Sequence, residues 1–209
     1  MFNTYVQSIF EQLVKEFDLD RNICRILIIN RLEFINEMYK CRYYKYCETD
    51  EDLINEINYD NGFFDGSKIF NFYDDENGKI VHRIFVNSEW LPELENKPFD
   101  EVIEYLTQSL RHEIGHVLYD NYVFDKLGLE EGNKALNYTT DRGLSAYIKF
   151  YNEQMNKYYE DEEMSVEDIQ KALISRYYSM KAERLANKFG KVNTRKLFKL
   201  TAKFRPLYL

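Results

Sequence analysis

The segment SLRHEIGHVLYD, Ser109 to Asp120, constrains the fold more than any other stretch, because two of the chain's three histidines fall four residues apart within it. A helix turns once every 3.6 residues, so His112 and His116 project from one face a single turn apart, with Glu113 beside them. Leu110, Ile114, Val117 and Leu118 surround the pair with apolar side chains, which makes this a core-facing helix. Two histidines and a glutamate buried there without partners would each carry a desolvation cost of a few kcal/mol. The fold has to supply a partner. Two imidazoles at this spacing can converge on one tetrahedral Zn2+, and Glu113 is placed to contact water at the ion without ligating it. The competing reading is an accidental match on helix surface.

A catalytic zinc needs a third protein ligand and an open position. Six residues beyond the second histidine stands Tyr122, which excludes the metzincin pattern. Asp141 in NYTTDRG is an aspartate option, but the fuller glycine-threonine and tyrosine-glycine frame of such sites is missing. YYSMKAERLANKFG offers Glu183 on a later helix, and this fits better. Asn187 lies one turn further on the same face, where its carboxamide can reach the outer nitrogen of a metal-bound histidine and fix its orientation. Leu185 and Phe189 are expected to pack that helix on the core, and Gly115 to clear room for substrate. Read alone, Glu183 is a surface glutamate in a Lys/Arg-rich helix; the histidine pair raises it to a ligand.

The rest of the chain reads as an α+β fold, helix-rich with a small antiparallel sheet. With only 8 glycines and 3 prolines in 209 residues, long elaborate loops are disfavoured. Phe2, Tyr5, Val6, Ile9, Phe10, Leu13, Val14 and Phe17 recur at helical spacing. Ile23 to Tyr39 is expected to be helical, although ILII at 26–29 equally suits a buried strand. Thr49 with Asp52 forms a capping pattern before Leu53, Ile54 and Ile57. In SKIFNFYDDENGKIVHRIFVN the turn at Asn77-Gly78 predicts a hairpin pairing Ile69–Tyr73 with Lys79–Val86. Trp90, Pro92 and Pro98 mark a loop, and Asp100 is a candidate N-cap for a helix with Val102, Ile103, Leu106 and Leu110 inward. An excursion from Asp120 to about Gly143, a helix over 144–159 and a long helix from Val166 to Phe189, capped by Ser165 with Asp168, complete the chain. We expect one domain over 1–209, with an N-terminal helical part (1–60), a core carrying the site (61–190) and a basic C-terminal helix (191–209).

A net charge of −8 argues against general nucleic-acid or anionic-membrane binding. Two basic stretches depart from it. YKCRYYKYC (Tyr39–Cys47) interleaves cations with tyrosines, and Lys188, Lys191, Arg195, Lys196, Lys199, Lys203 and Arg205 crowd the last helical segment. For that segment a solvated helix face is the plain reading and a partner-docking surface the other. No apolar run reaches membrane-spanning length, and MFNTYVQSIFEQLVKEF lacks the basic start of a signal peptide. Cys24, Cys41 and Cys47, an odd number, are expected to be reduced structural thiols in a cytoplasm. Oligomeric state is not legible.

HEIGH followed by ERLANKF resembles the gluzincin arrangement, HExxH plus ExxA[D/N], and is most similar to ImmA/IrrE-type and related phage-encoded metallopeptidases. The resemblance covers about Ile80 to Gly190. It implies a zincin-like fold, a Zn2+ cofactor held by His112, His116 and Glu183, and Glu113 as the general base. The implied activity is hydrolysis of peptide bonds in a protein or peptide substrate by Glu-assisted attack of zinc-bound water. Tyr119, Arg176, Tyr177 and Tyr178 are candidates for stabilising the oxyanion, and the strand Val81–Val86 is the expected edge for an extended substrate. His82 on that strand is expected to be a surface residue rather than a fourth ligand. The acidic stretch Glu160–Glu163 is a candidate for shielding the site. The rival class is a non-catalytic, zinc-stabilised binding or regulatory protein of phage or mobile-element origin.

Overall fold

A computed structural model describes residues 2–40, 49, 52, 55, 68–76, 79–160 and 165–204. The expectations for Cys41, Cys47 and most of YKCRYYKYC, for Leu53, Ile54 and Ile57, for the Asn77-Gly78 turn, for the acidic stretch beyond Glu160 and for Arg205 lie outside the described residues. The chain is mostly helical with one small sheet, an α+β arrangement. It divides into two compact units, Met1–Glu113 and Ile114–Leu209.

In the first unit, helix α1 (Phe2–Glu16) buries Phe2, Val6, Ile9, Phe10, Leu13 and Val14, the stripe its spacing predicts. The next apolar segment is not one helix. Cys24–Ile29 forms strand β1 and Arg31–Lys40 forms helix α2. Asn30 divides them: its side chain accepts from Glu33 N–H at 2.9 Å, while Glu33 accepts from Asn30 N–H at 2.9 Å. This reciprocal cap starts the helix and leaves the isoleucine-rich ILII run to a strand.

Strands β2 (Ile69–Glu76) and β3 (Lys79–Asn87) pair antiparallel, from Ile69 opposite Val86 to Glu76 opposite Lys79, as the hairpin reading requires. Because β1 adds parallel to β3, from Cys24 beside His82 to Ile29 beside Asn87, the sheet is mixed rather than antiparallel. The order is β1-β3-β2, so the strand holding Val81–Val86 is central and cannot be the substrate edge. One face packs on α2 through Phe34, Met38, Phe70 and Phe85, with the Phe34 ring edge-on to Phe70 and Phe85 at 5.6 and 5.1 Å. Past β3, buried Trp90 meets Tyr105 edge-on at 5.9 Å. Helix α3 (Phe99–Glu160) begins just after Pro98, which puts Asp100 in its first turn rather than at its cap; there its charge still suits the helix dipole.

Within the second unit, α3 continues through the segment expected to be an excursion. Its only non-helical residue is Gly128 (φ 75°, ψ 173°), a conformation essentially confined to glycine, which kinks the helix. Beyond the kink, Tyr147, Phe150, Tyr151, Met155 and Tyr158 pack with Ile169 and Leu173 of helix α4 (Val166–Tyr178). The Ser165 cap forms as expected, accepting from Asp168 N–H at 3.1 Å. The long helix to Phe189 does not. Ser179 caps α4, its hydroxyl donating to Arg176 C=O at 2.7 Å, and Met180 turns extended (ψ 149°) before helix α5 (Lys181–Phe189). Helix α6 (Thr194–Phe204) follows, burying Leu197, Leu200, Thr201 and Phe204. No helix among the described residues is long and apolar enough to cross a membrane.

Candidate metal centre

The break at Ser179–Met180 decides where the distant carboxylate goes. It places Glu183 in the first turn of α5, where unpaired amides and the helix dipole favour a negative charge. Three residues of this short helix are buried: Glu183, Ala186 and Asn187, the i, i+3, i+4 face. A face that hides a carboxylate and a carboxamide rather than leucines requires polar partners.

One partner is His116, whose Nε2 lies 3.5 Å from Glu183 Oε2. Potential ligand atoms of His112, His116 and Glu183 all lie within 4.8 Å of one another, the only such cluster of His, Cys, Asp and Glu among the described residues. His112 and Glu183 are 4 % and 6 % exposed, whereas the His116 side chain keeps 20 %, so the cluster is open on the His116 side. The donor set fits zinc. Donors at about 2.0–2.1 Å in a tetrahedron sit roughly 3.3 Å apart, close to the His116–Glu183 separation.

Backbone proximity makes this possible. A Cβ built on Gly115 would lie 1.9 Å from the Ala186 carbonyl oxygen and 2.9 Å from Gly190 N. That carbonyl also accepts from Gly190 N–H at 2.8 Å, closing the end of α5. Gly115 is therefore filled by the neighbouring helix rather than clearing space for substrate. Phe189 adds a ring contact on each side, with Tyr119 at 5.7 Å and Tyr122 at 5.8 Å. Asn187 is buried one turn after Glu183, where the spacing put it, and its backbone carbonyl accepts from Val192 N–H at 2.9 Å.

Glu113 does not belong to the three-ligand cluster. Its Oε2 accepts the Asn71 N–H at 2.8 Å. Lys68 C=O accepts from Asn87 N–H, so even-numbered residues of β2 face β3 and odd ones face away. The Asn71 amide thus lies on the side of β2 away from β3, the outer edge of the sheet among the described residues. Asn71 Oδ1 is buried without a hydrogen-bond partner among the described residues. On the other side of His112, Arg111 forms a two-point pair with Glu16 at 2.9 and 2.5 Å and lies over the Phe17 ring.

Sequence reasoning missed two residues here. Asn71 is the polar interruption in IFNFY, a readable signal once its strand is known to be an edge. Asp120 stands one helical turn after His116 and is buried; burial pushes its carboxyl up to about 7 although His116 pulls it down. The HExxHxxxD spacing is present in the sequence, and the helix continues through Asp120 where an excursion is expected. Of the oxyanion candidates, Arg176 lies over Phe150, Tyr177 packs edge-on to Tyr147, and Tyr178 stacks on Phe198 at 4.8 Å. Tyr119 rests against Phe189, its hydroxyl pKa raised by burial and by Asp120. His82 is fully buried, not a surface residue; its ring faces Tyr73 at 5.8 Å, and it is not in the cluster.

No protein-family model, curated protein or solved structure matches the chain.

Proposed function

We propose that the chain is a zincin-like zinc metallopeptidase that hydrolyses peptide bonds of a protein substrate. The observation that carries the reading is the convergence of two imidazoles, one turn apart, and a buried carboxylate from a separate helix. A bound zinc ion supplies Lewis acidity, which brings the pKa of water towards 7 and polarises a carbonyl. The remaining work falls to side chains. Glu113 takes a proton from the attacking water and delivers it to the departing amine. With Oε2 tied to Asn71 N–H, its carboxylate holds one orientation through both transfers. The outer edge of β2 directs main-chain groups of Ile69 and Tyr73 away from β3, and an extended peptide can pair there.

The test joins metal analysis to one substitution. Purified protein is expected to hold about one zinc per chain and to cleave an unstructured protein such as casein. Glu113→Gln should keep the zinc and lose about 10²–10⁴-fold of the cleavage rate. Zinc well below stoichiometry, or undiminished cleavage by the variant, sinks the proposal. The Glu113–Asn71 hydrogen bond also suits the rival, a non-catalytic zinc-stabilised binding or regulatory protein in which Glu113 is a structural tie. That reading requires full zinc occupancy with no cleavage by either form.

A further inference from the structure

Helix α6 reverses the charge of the molecule it belongs to. Between Thr194 and Phe204 it carries Arg195, Lys196, Lys199 and Lys203 and no acid, in a chain of net charge −8. Its buried stripe faces inward, and all four cations are exposed. Against α4 it forms a groove of about 620 Å³. Half-buried Ile174, Phe198 and Ala202 make an apolar floor, and Lys171, Lys199 and Lys203 stand on the rim. The one acid of the lining, Glu167, is paired with Lys171 at 2.8 Å.

The groove is preformed. Gln170 Nε2 donates to Ala202 C=O at 2.9 Å, tying one wall to the other, and the Phe198 ring is stacked on Tyr178 with 17° between planes. Binding there would require little ordering of the protein. A solvated helix face explains the lysines but not the apolar floor between them. Nucleic acid or an anionic lipid surface would want a continuous basic face on a protein of suitable charge. Here the net charge is opposed and the lysines only frame an apolar slot.

We propose that the groove between α4 and α6 docks an acidic peptide segment of a partner protein, its apolar side chains on Ile174, Phe198 and Ala202 and its carboxylates on Lys199 and Lys203. The site uses none of the metal-centre residues, so it holds or fails independently of the peptidase reading.

The experiment uses the full chain and a fluorescein-labelled 14-residue peptide with leucines at helical spacing and glutamates elsewhere, read by anisotropy. Saturable micromolar binding is expected, weakening about tenfold between 50 and 300 mM NaCl as screening shortens. Lys199→Glu with Lys203→Glu should weaken it at least about tenfold, with circular dichroism unchanged because both positions are exposed. Replacing the peptide's leucines by serine should cost a similar factor, and EDTA should have no effect. As a second variant, Ala202→Glu puts a carboxylate on the floor and should abolish binding. The proposal is overturned if the charge-reversed protein binds the peptide as well as wild type, if the serine peptide binds equally, or if single-stranded DNA or phosphatidylserine vesicles bind at this face and the peptide does not.

Discussion

Glu183 is a carboxylate 6 % exposed, on a short helix and 3.5 Å from an imidazole nitrogen. If an ion is bound there it is a ligand, so its removal is read first in metal affinity. Glu183→Ala is expected to cut zinc affinity by about 100-fold or more, measured by competition with a chromophoric chelator. In EDTA the same variant should melt close to the wild-type temperature, because the ligand role is not exercised without the ion. A large loss of Tm in EDTA would show that Glu183 serves the fold instead. Cys24 illustrates the other kind of buried titratable group. On β1, 1 % exposed, its thiol is pushed from the ordinary 9.0 up to about 12 by burial. The folded state thus favours the neutral thiol: this contribution is complete below pH 9 and is lost as pH rises towards 12. Cys24 should resist iodoacetamide at pH 8 in folded protein, followed by peptide mass spectrometry, and react on unfolding. Cys24→Ala should remove part of the stability lost between pH 9 and 12.

Two glycines on one helix carry opposite predictions. At Gly115 a methyl group would meet the Ala186 carbonyl, which is main chain and cannot step aside, so Gly115→Ala should cost about 2–3 kcal/mol and separate Glu183 from the histidines. At Gly143 the nearest atom is Met180 Sδ at 3.3 Å, the end of a flexible side chain. Gly143→Ala should therefore gain up to about 1 kcal/mol from helix propensity. Thermal melts of both variants, with zinc titrations, separate the cases; equal effects would contradict the packing described. The same elements mark where the sequence was readable. Regular apolar stripes gave α1 and the first part of α3, alternation gave the hairpin, and HEIGH with ERLANKF gave the cluster. Strand β1 is ambiguous in sequence because a four-residue apolar run has no period, and the boundary is set by the Asn30–Glu33 cap. Residues 120–143 hide as helix because few are buried, chiefly Val123 and Leu136, so no apolar face is written there. Gly128 then reads as a loop when it is a kink. The stop at Ser179 left no glycine or proline signal, yet it is what puts Glu183 in a first turn.

At the scale of the whole molecule, an ion held by positions 112, 116 and 183 joins parts of the chain far apart in sequence and stabilises only the state in which they meet. Zinc at 100 times its Kd should add about 2.7 kcal/mol, raising Tm by several degrees; EDTA should reverse the rise and His116→Ala should prevent it. No shift on adding zinc would count against the centre irrespective of any activity. The central place of β3 has a further consequence, for synthesis. β1 leaves the ribosome before its one neighbour among the described strands, β3, which is translated roughly sixty residues later. At about 5–20 residues per second that delay lasts several seconds. Nascent chains truncated before Lys79 hold β1 without β3, so they should precipitate or recruit chaperones, whereas those extending past Asn87 should not.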